Sequence, residues 1–130
     1  MRPIPTALVL AVALGAGPAL AADTRTLSHP TAEVTLHLHA FLSPEDRALL
    51  EAVAASPEGL AMLLGDSGGH GAIALAPGEG MVRDGVPSAS AAAVGALPDA
   101  AVARARALEM CDAARSTRPD CAVVLEVAPR

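Results

Sequence analysis

From Ala32 the chain alternates strictly: Ala32, Val34, Leu36, Leu38 and Ala40 fall on one side, and Glu33, Thr35, His37, His39 and Phe41 on the other. This period of two predicts a half-buried strand and is the clearest periodic signal in the chain. The spacing then turns helical. Ser43-Pro44-Glu45-Asp46 predicts a helix start, with Ser43 as N-cap, a proline whose missing N–H costs nothing in the first turn, and Asp46 closing a Ser-x-x-Asp capping box. Leu49, Leu50, Val53 and Ala54 form its apolar stripe, while Glu45, Arg47 and Glu51 lie outside. Ser56-Pro57-Glu58 repeats the start signal and predicts a second short helix that holds Leu60, Met62, Leu63 and Leu64 and ends at Gly65.

Residues 65–71 read as a glycine-rich loop, residues 72–76 as a short buried strand, and Pro77-Gly78-Glu79-Gly80 as its turn. Within 81–94, Val82 and Val86 indicate a returning strand that Pro87 confines to an edge, although 88–93 has helical propensity. We read this segment as a strand that gives way to loop by Gly95. Leu97-Pro98-Asp99 opens an alanine-rich helix running into Cys111, with Leu97, Ala101, Leu108, Cys111 and Ala114 on one face and Asp99, Arg106 and Glu109 on the other. After the turn at Arg118-Pro119-Asp120, a last strand starts at Cys121 and places Cys121, Val123, Leu125 and Val127 opposite Glu126. Residues 22–31 are polar, without periodicity, and read as a flexible lead-in. The expected fold is therefore α+β in the order β-α-(α)-β-β-α-β: one small domain with a mostly antiparallel sheet and helices on one face.

Residues 1–21 read as an address. Met1-Arg2 is a short positive region, 7–15 an apolar run, Gly17-Pro18 a break, and Ala19-Leu20-Ala21 a small-x-small cleavage site. The run is shorter than the about 20 apolar residues that span a bilayer. A signal peptide cleaved near Ala21 is expected rather than an anchor, with a periplasmic or secreted domain over 22–130. Setting Arg2 aside leaves eight arginines against fourteen acidic residues, a net charge of −6. That balance argues against nucleic acid and anionic membranes as partners. With no lysine, tryptophan or tyrosine and only Phe41 as an aromatic, the 52% hydrophobic content is largely alanine, so the core should be thin. A staple would matter. Cys111 and Cys121 are the two cysteines, and export puts them in an oxidising space where a disulfide is expected. They are not spaced as C-x-x-C, and no basic residue adjoins either sulfur, which argues against a redox pair.

Several motifs invite a chemical reading. Gly65-Asp66-Ser67-Gly68-Gly69 looks like the signature around the nucleophile of chymotrypsin-like proteases. Those enzymes also need a histidine base, a buried aspartate and oxyanion donors on a fold about twice this length, and their alanine–alanine–histidine–cysteine context is absent. Ser67 and His70 remain loop residues of interest, and no catalytic residue is assigned. His37 and His39 project from one strand face about 7 Å apart. They could seat two ligands of a copper or zinc site, with His29 or His70 as a third. Alternation with Glu33 and Thr35 also makes this simply a solvated face. Glu126 would be a candidate acid if Val124, read as sharing its face, buried it and raised its pKa.

Gly71-Ala72-Ile73-Ala74, Pro77-Gly78-Glu79-Gly80, the alanine-rich helix ending in Cys111, and Cys121-Ala122-Val123-Val124 together resemble a family of small exported bacterial proteins of unknown function. The start at Ser43-Pro44-Glu45-Asp46-Arg47 also looks like a subset of them from high-GC Gram-negative bacteria. The resemblance implies export, an α/β fold and a disulfide, with no known catalytic residues. It departs at 62–70 and 83–95. Some similar sequences carry the label 5-aminolevulinate synthase. That chemistry needs a lysine to form the Schiff base with pyridoxal phosphate, and this chain has none. No cofactor is expected. The function expected is a non-enzymatic module that binds a periplasmic protein or small ligand through its sheet face or residues 65–80. The alternative is a copper- or zinc-binding protein using His37 and His39.

Overall fold

The computed structural model describes residues 23–66 and 68–130, so the expected signal peptide of residues 1–21 and Ser67 lie outside the described residues. The elements are β1 (Asp23–Ser28), β2 (Ala32–Leu38), α1 (Pro44–Ala55), α2 (Pro57–Leu64), β3 (His70–Leu75), β4 (Val82–Arg83), β5 (Val86–Pro87), β6 (Ala92–Leu97), α3 (Ala100–Ala114) and β7 (Ala122–Pro129). Five strands form one sheet in the order β1-β2-β7-β3-β6, with every neighbouring pair antiparallel. The last strand of the chain thus lies at the centre. The expected small single α+β domain with a mostly antiparallel sheet is what forms, and Cys111 and Cys121 are joined in a disulfide. Among the described residues no helix is long and apolar enough to cross a membrane.

Helices cover both faces of the sheet, not one as expected. The cause is β3, where residue types alternate by size. Ile73 and Leu75 point into a core with Val34, Leu36, Leu38, Leu50 and Leu60, under α1 and α2. Ala72, Ala74 and Ala76 point the other way, into a layer with Ala103, Ala107 and Cys111 of α3. Hydropathy alone cannot separate these faces, because both are apolar. The buried stripe of α3 is Ala103, Ala107 and Cys111, whereas Ala101, placed on the inner face by the sequence, is exposed. Asp99 is the N-cap itself, its carboxylate accepting from the Val102 N–H at 2.8 Å, so Pro98 stands before the helix.

Residues 23–28 are not a lead-in but edge strand β1, paired with β2 from Asp23 opposite Leu38 to Ser28 opposite Glu33. The strand carries one inward apolar residue, Leu27, packed against the core. Its order comes from the backbone ladder with β2, which no hydrophobic pattern reveals. The segment 81–95 also differs from expectation. Asp84 and Gly85 both have positive φ, 54° and 78°, and turn the β4–β5 hairpin. An Asp-Gly turn of this hand matches the twist of paired strands. Strand β6 then runs to Leu97, through the expected loop at Gly95, where a β-bulge interrupts its pairing with β3.

Ser43 caps α1 as expected, accepting from the Asp46 N–H at 3.0 Å. The other half of the capping box is spent elsewhere. The Asp46 carboxylate, only 4% exposed, accepts from the N–H groups of Met81 and Val82, both at 3.2 Å, and so ties α1 to the turn before β4. Replacing Asp46→Ala should cost about 2–3 kcal/mol, since it leaves donors without an acceptor in a closed site. Urea unfolding would check this, and a loss below half a kcal/mol would show that water takes over the carboxylate's role. The double replacement of Cys111 and Cys121 by serine should cost about 2–3 kcal/mol through loop entropy, measured the same way.

Candidate functional site

The side of β2 opposite the main core carries the polar half of the alternation, and β7 supplies its neighbour. Thr35 pairs with Glu126, and α3 packs over β3, β6 and β7, leaving the β1–β2 part of this face open. Here the His37 Nε2–H donates to Glu126 Oε2 at 2.7 Å, and the Arg104 guanidinium donates to Glu126 Oε1 at 2.9 Å. The His39 Nε2–H donates to the Val123 carbonyl at 2.9 Å, and its ring stacks on Phe41 with centroids 5.1 Å apart. His37, His39 and Phe41 thus form a row of rings, as the alternation predicted. Their neighbours Glu126 and Arg104 come from far along the chain.

Glu126 is not the acid that sequence reasoning considered. Val124 does not share its face, because a bulge in the β3–β7 pairing puts Val124 and Leu125 together in the core under α1 and α2. Partial burial pushes the carboxyl pKa up, but hydrogen bonds and charge from Arg104 and His37 outweigh it and hold the pKa below the ordinary carboxylate value. The group is an ionised anchor with both oxygens engaged. It has no proton to give near neutral pH.

The four histidines do not converge. His29 sits in the β1–β2 turn, and its Nε2–H donates to the Ala54 carbonyl at 2.7 Å, closing the end of α1. His70 opens β3 opposite Leu97, with a buried Nδ1 that has no hydrogen-bond partner among the described residues. Among the described residues no three His, Cys, Asp or Glu side chains group to hold a metal ion. A metal at His37 and His39 would have to use Nδ1 of each or break the bonds their Nε2 atoms make.

The glycine loop borders a cavity of about 440 Å³ lined by His29, Thr31, Leu60, Leu64, Asp66 and Pro129 among others. Gly65, Gly68 and Gly69 all hold positive φ there, a backbone region that glycine enters without steric cost. A second concavity of about 400 Å³ lies between the helices and the β4–β5 hairpin. Leu49 and Val53 of α1, Met62 and Leu63 of α2, Met81, Val82 and Pro87 by the hairpin, Ala91, and Ala92 and Ala93 of β6 line it. Met62 is 85% exposed and Leu63 39% exposed. Sequence reasoning placed these residues in a helix but could not show that the helix leaves them open, because the groove arises only when the hairpin folds up opposite α2.

Glu79 is a hub that the sequence did not reveal. Its carboxylate accepts from the Ser90 hydroxyl at 2.6 Å, from the N–H groups of Ser116 and Thr117 at 2.7 and 2.9 Å, and from the Thr117 hydroxyl at 2.9 Å. It joins the turn after β3 to the connection that follows α3. Asp112 plays a similar part beside the disulfide, accepting from the Cys121 N–H and the Arg115 guanidinium. The chain matches no family model, no curated protein and no solved structure.

The hydrogen bonds to Glu79, led by that from Ser90, lower its pKa from 4.5 to about 2. A carboxyl depressed in the folded state adds stability above its unfolded pKa, and that stability is lost as pH falls through the window between the two values. The stability difference between the protein and its Glu79→Gln variant should therefore be full above pH 4.5 and close on acidification towards about 2. Thermal melts across that range would check it. A difference independent of pH would show that the carboxylate's charge is not what holds the turn.

Proposed function

We propose that this chain is a non-catalytic interaction module of an exported, oxidising compartment, and that it takes an extended apolar segment of a polypeptide beside β6. The observation that carries this is the pairing of two features along one edge. The groove presents apolar side chains, and β6 pairs only with β3, so its outer edge carries backbone N–H and C=O groups without partners among the described residues. A segment in extended conformation offers both complements, side chains for the groove and a backbone for the ladder. Met62 and Leu63 give the rim an adaptable surface suited to apolar side chains. The disulfide supports the oxidising compartment. The copper or zinc reading of His37 and His39 ranks below this one, because the Nε2 atoms of both rings are already committed.

The test uses a defined probe, the capped hexapeptide of alternating threonine and valine, titrated into isotope-labelled protein. Amide shifts should concentrate in residues 91–97 and in Met62 and Leu63, with a Kd of about 1 mM or tighter. Met62→Glu should weaken binding about tenfold, roughly 1.4 kcal/mol. Shifts scattered over the surface, or centred on His37 and His39, would overturn the proposal.

A further inference from the structure

The groove beside β6 is lined without a charge. Ser88 carries the one polar side chain among its lining residues, and that hydroxyl donates to the Glu79 carbonyl at 2.9 Å. Its proton is thus spent on the turn. The donors left nearby are backbone N–H groups on the outer edge of β6, which a docked strand needs for its ladder. A strong acceptor placed in this groove is hydrated while the groove is open. Once the groove is covered, it competes with the ladder or stays without a partner.

One lining residue becomes such an acceptor by oxidation. The chain has four methionines and no tryptophan or tyrosine, and both cysteines are in the disulfide, so a two-electron oxidant meets thioethers first. Met1 lies outside the described residues, and the other three are graded in exposure: Met62 85%, Met110 47% and Met81 9%. Met81 also lines the groove but is packed into the main core, where burial shields its sulfur. Met110 belongs to α3 and is not part of the groove. Met62 combines the two properties: its thioether stands in water, and it stands on the rim.

We infer that Met62 is an oxidation site by which hydrogen peroxide closes the groove to apolar segments; the inference rests on the binding role proposed above. The sulfur attacks one peroxide oxygen, the O–O bond breaks as an S=O bond forms, and the second oxygen leaves as water, taking the proton of the first. Sulfur loses two electrons and the peroxide gains them. In the free protein the new oxygen is hydrated, and α2 keeps its hold on the fold through Leu60, its buried residue. In the occupied groove the same oxygen gives up water without gaining a donor. The cost thus falls on the bound state, which is what a change in affinity requires.

Peptide-mapping mass spectrometry of the disulfide-bonded chain, sampled over time in hydrogen peroxide, tests this alongside the hexapeptide titration. Met62 should gain its oxygen first, Met110 later and Met81 last. When Met62 alone is oxidised, circular dichroism should be unchanged and the hexapeptide should bind about tenfold more weakly. Met110→Leu should lose affinity on treatment as the parent does, whereas Met62→Leu, from whatever affinity it starts, should not change. Met81 or Met110 oxidising ahead of Met62 overturns the inference. A loss of affinity that persists in Met62→Leu, or that comes with lost circular dichroism, overturns it too. If Met62 is oxidised and the hexapeptide binds as before, the inference falls and the binding role stands. If the hexapeptide does not shift β6 in the untreated chain, the binding role falls and the inference with it, whatever the order of oxidation.

Discussion

Alanine at every second position of β3 decides how this molecule is layered. Ala72, Ala74 and Ala76 let α3 come down on the sheet with its own small residues, Ala103 and Ala107, against theirs. Close approach of that kind buries little area per residue, because a methyl group removes far less surface from water than a leucine does. The opposite side of the same strand offers Ile73 and Leu75 to a thicker core. One layer is held by hydrophobic area and the other needs help. The help is polar and covalent: the disulfide from Cys111 to Cys121, Asp112 across the same connection, Arg104 to Glu126, and Glu79 on Ser116 and Thr117. Each of these ties α3 or the connection that follows it to the rest of the fold.

What could be read in the chain follows from the same contrast. The alternation in β2, the Ser-Pro starts of α1 and α2, the helix into Cys111 and the disulfide were legible because each is written locally, in a period or a pair. The side of the sheet that each helix covers was not. It depends on alanine against isoleucine within one apolar run, a difference of size and not of hydropathy. Strand β1 escaped because threonine and arginine give no hydrophobic period, although its threonines at every second position are compatible with a strand. The β4–β5 hairpin had a readable signal in Asp84-Gly85, which a reading of Val82 and Val86 as one returning strand passed over.

The candidate site divides the same way. His37, His39 and Phe41 share a face because of the two-residue period, and no tertiary knowledge was needed to say so. Glu126 joins them for a reason the sequence conceals. A bulge puts Val124 with Leu125 in the core, so the carboxylate on the other face meets Arg104 and His37 and not Val124. One inserted residue in a ladder thus changes a candidate acid into an ionised anchor, because facing alternates and a shift of one residue turns later side chains over.

The groove beside β6 is preformed by backbone packing. Of the four large apolar residues in α2, only Leu60 is buried, and a helix of eight residues is too short to be stable alone. It keeps its place because its last turn lies directly on β6. A side chain at Gly95 would run into the Leu64 carbonyl, and one at Gly71 would come within 2.7 Å of the Val94 carbonyl. Gly95 thus lets the end of a short helix sit against strand backbone, and Gly71 makes room for the Val94 carbonyl and the Leu64 side chain, while Met62 and Leu63 stay outside. A wall anchored in this way loses little freedom when something binds to it, which lowers the entropic cost of association. The exposed methionine and leucine are therefore held by a rigid support, and this distinguishes the β6 side of the sheet from the β1 side, where the exposed residues are polar and charged.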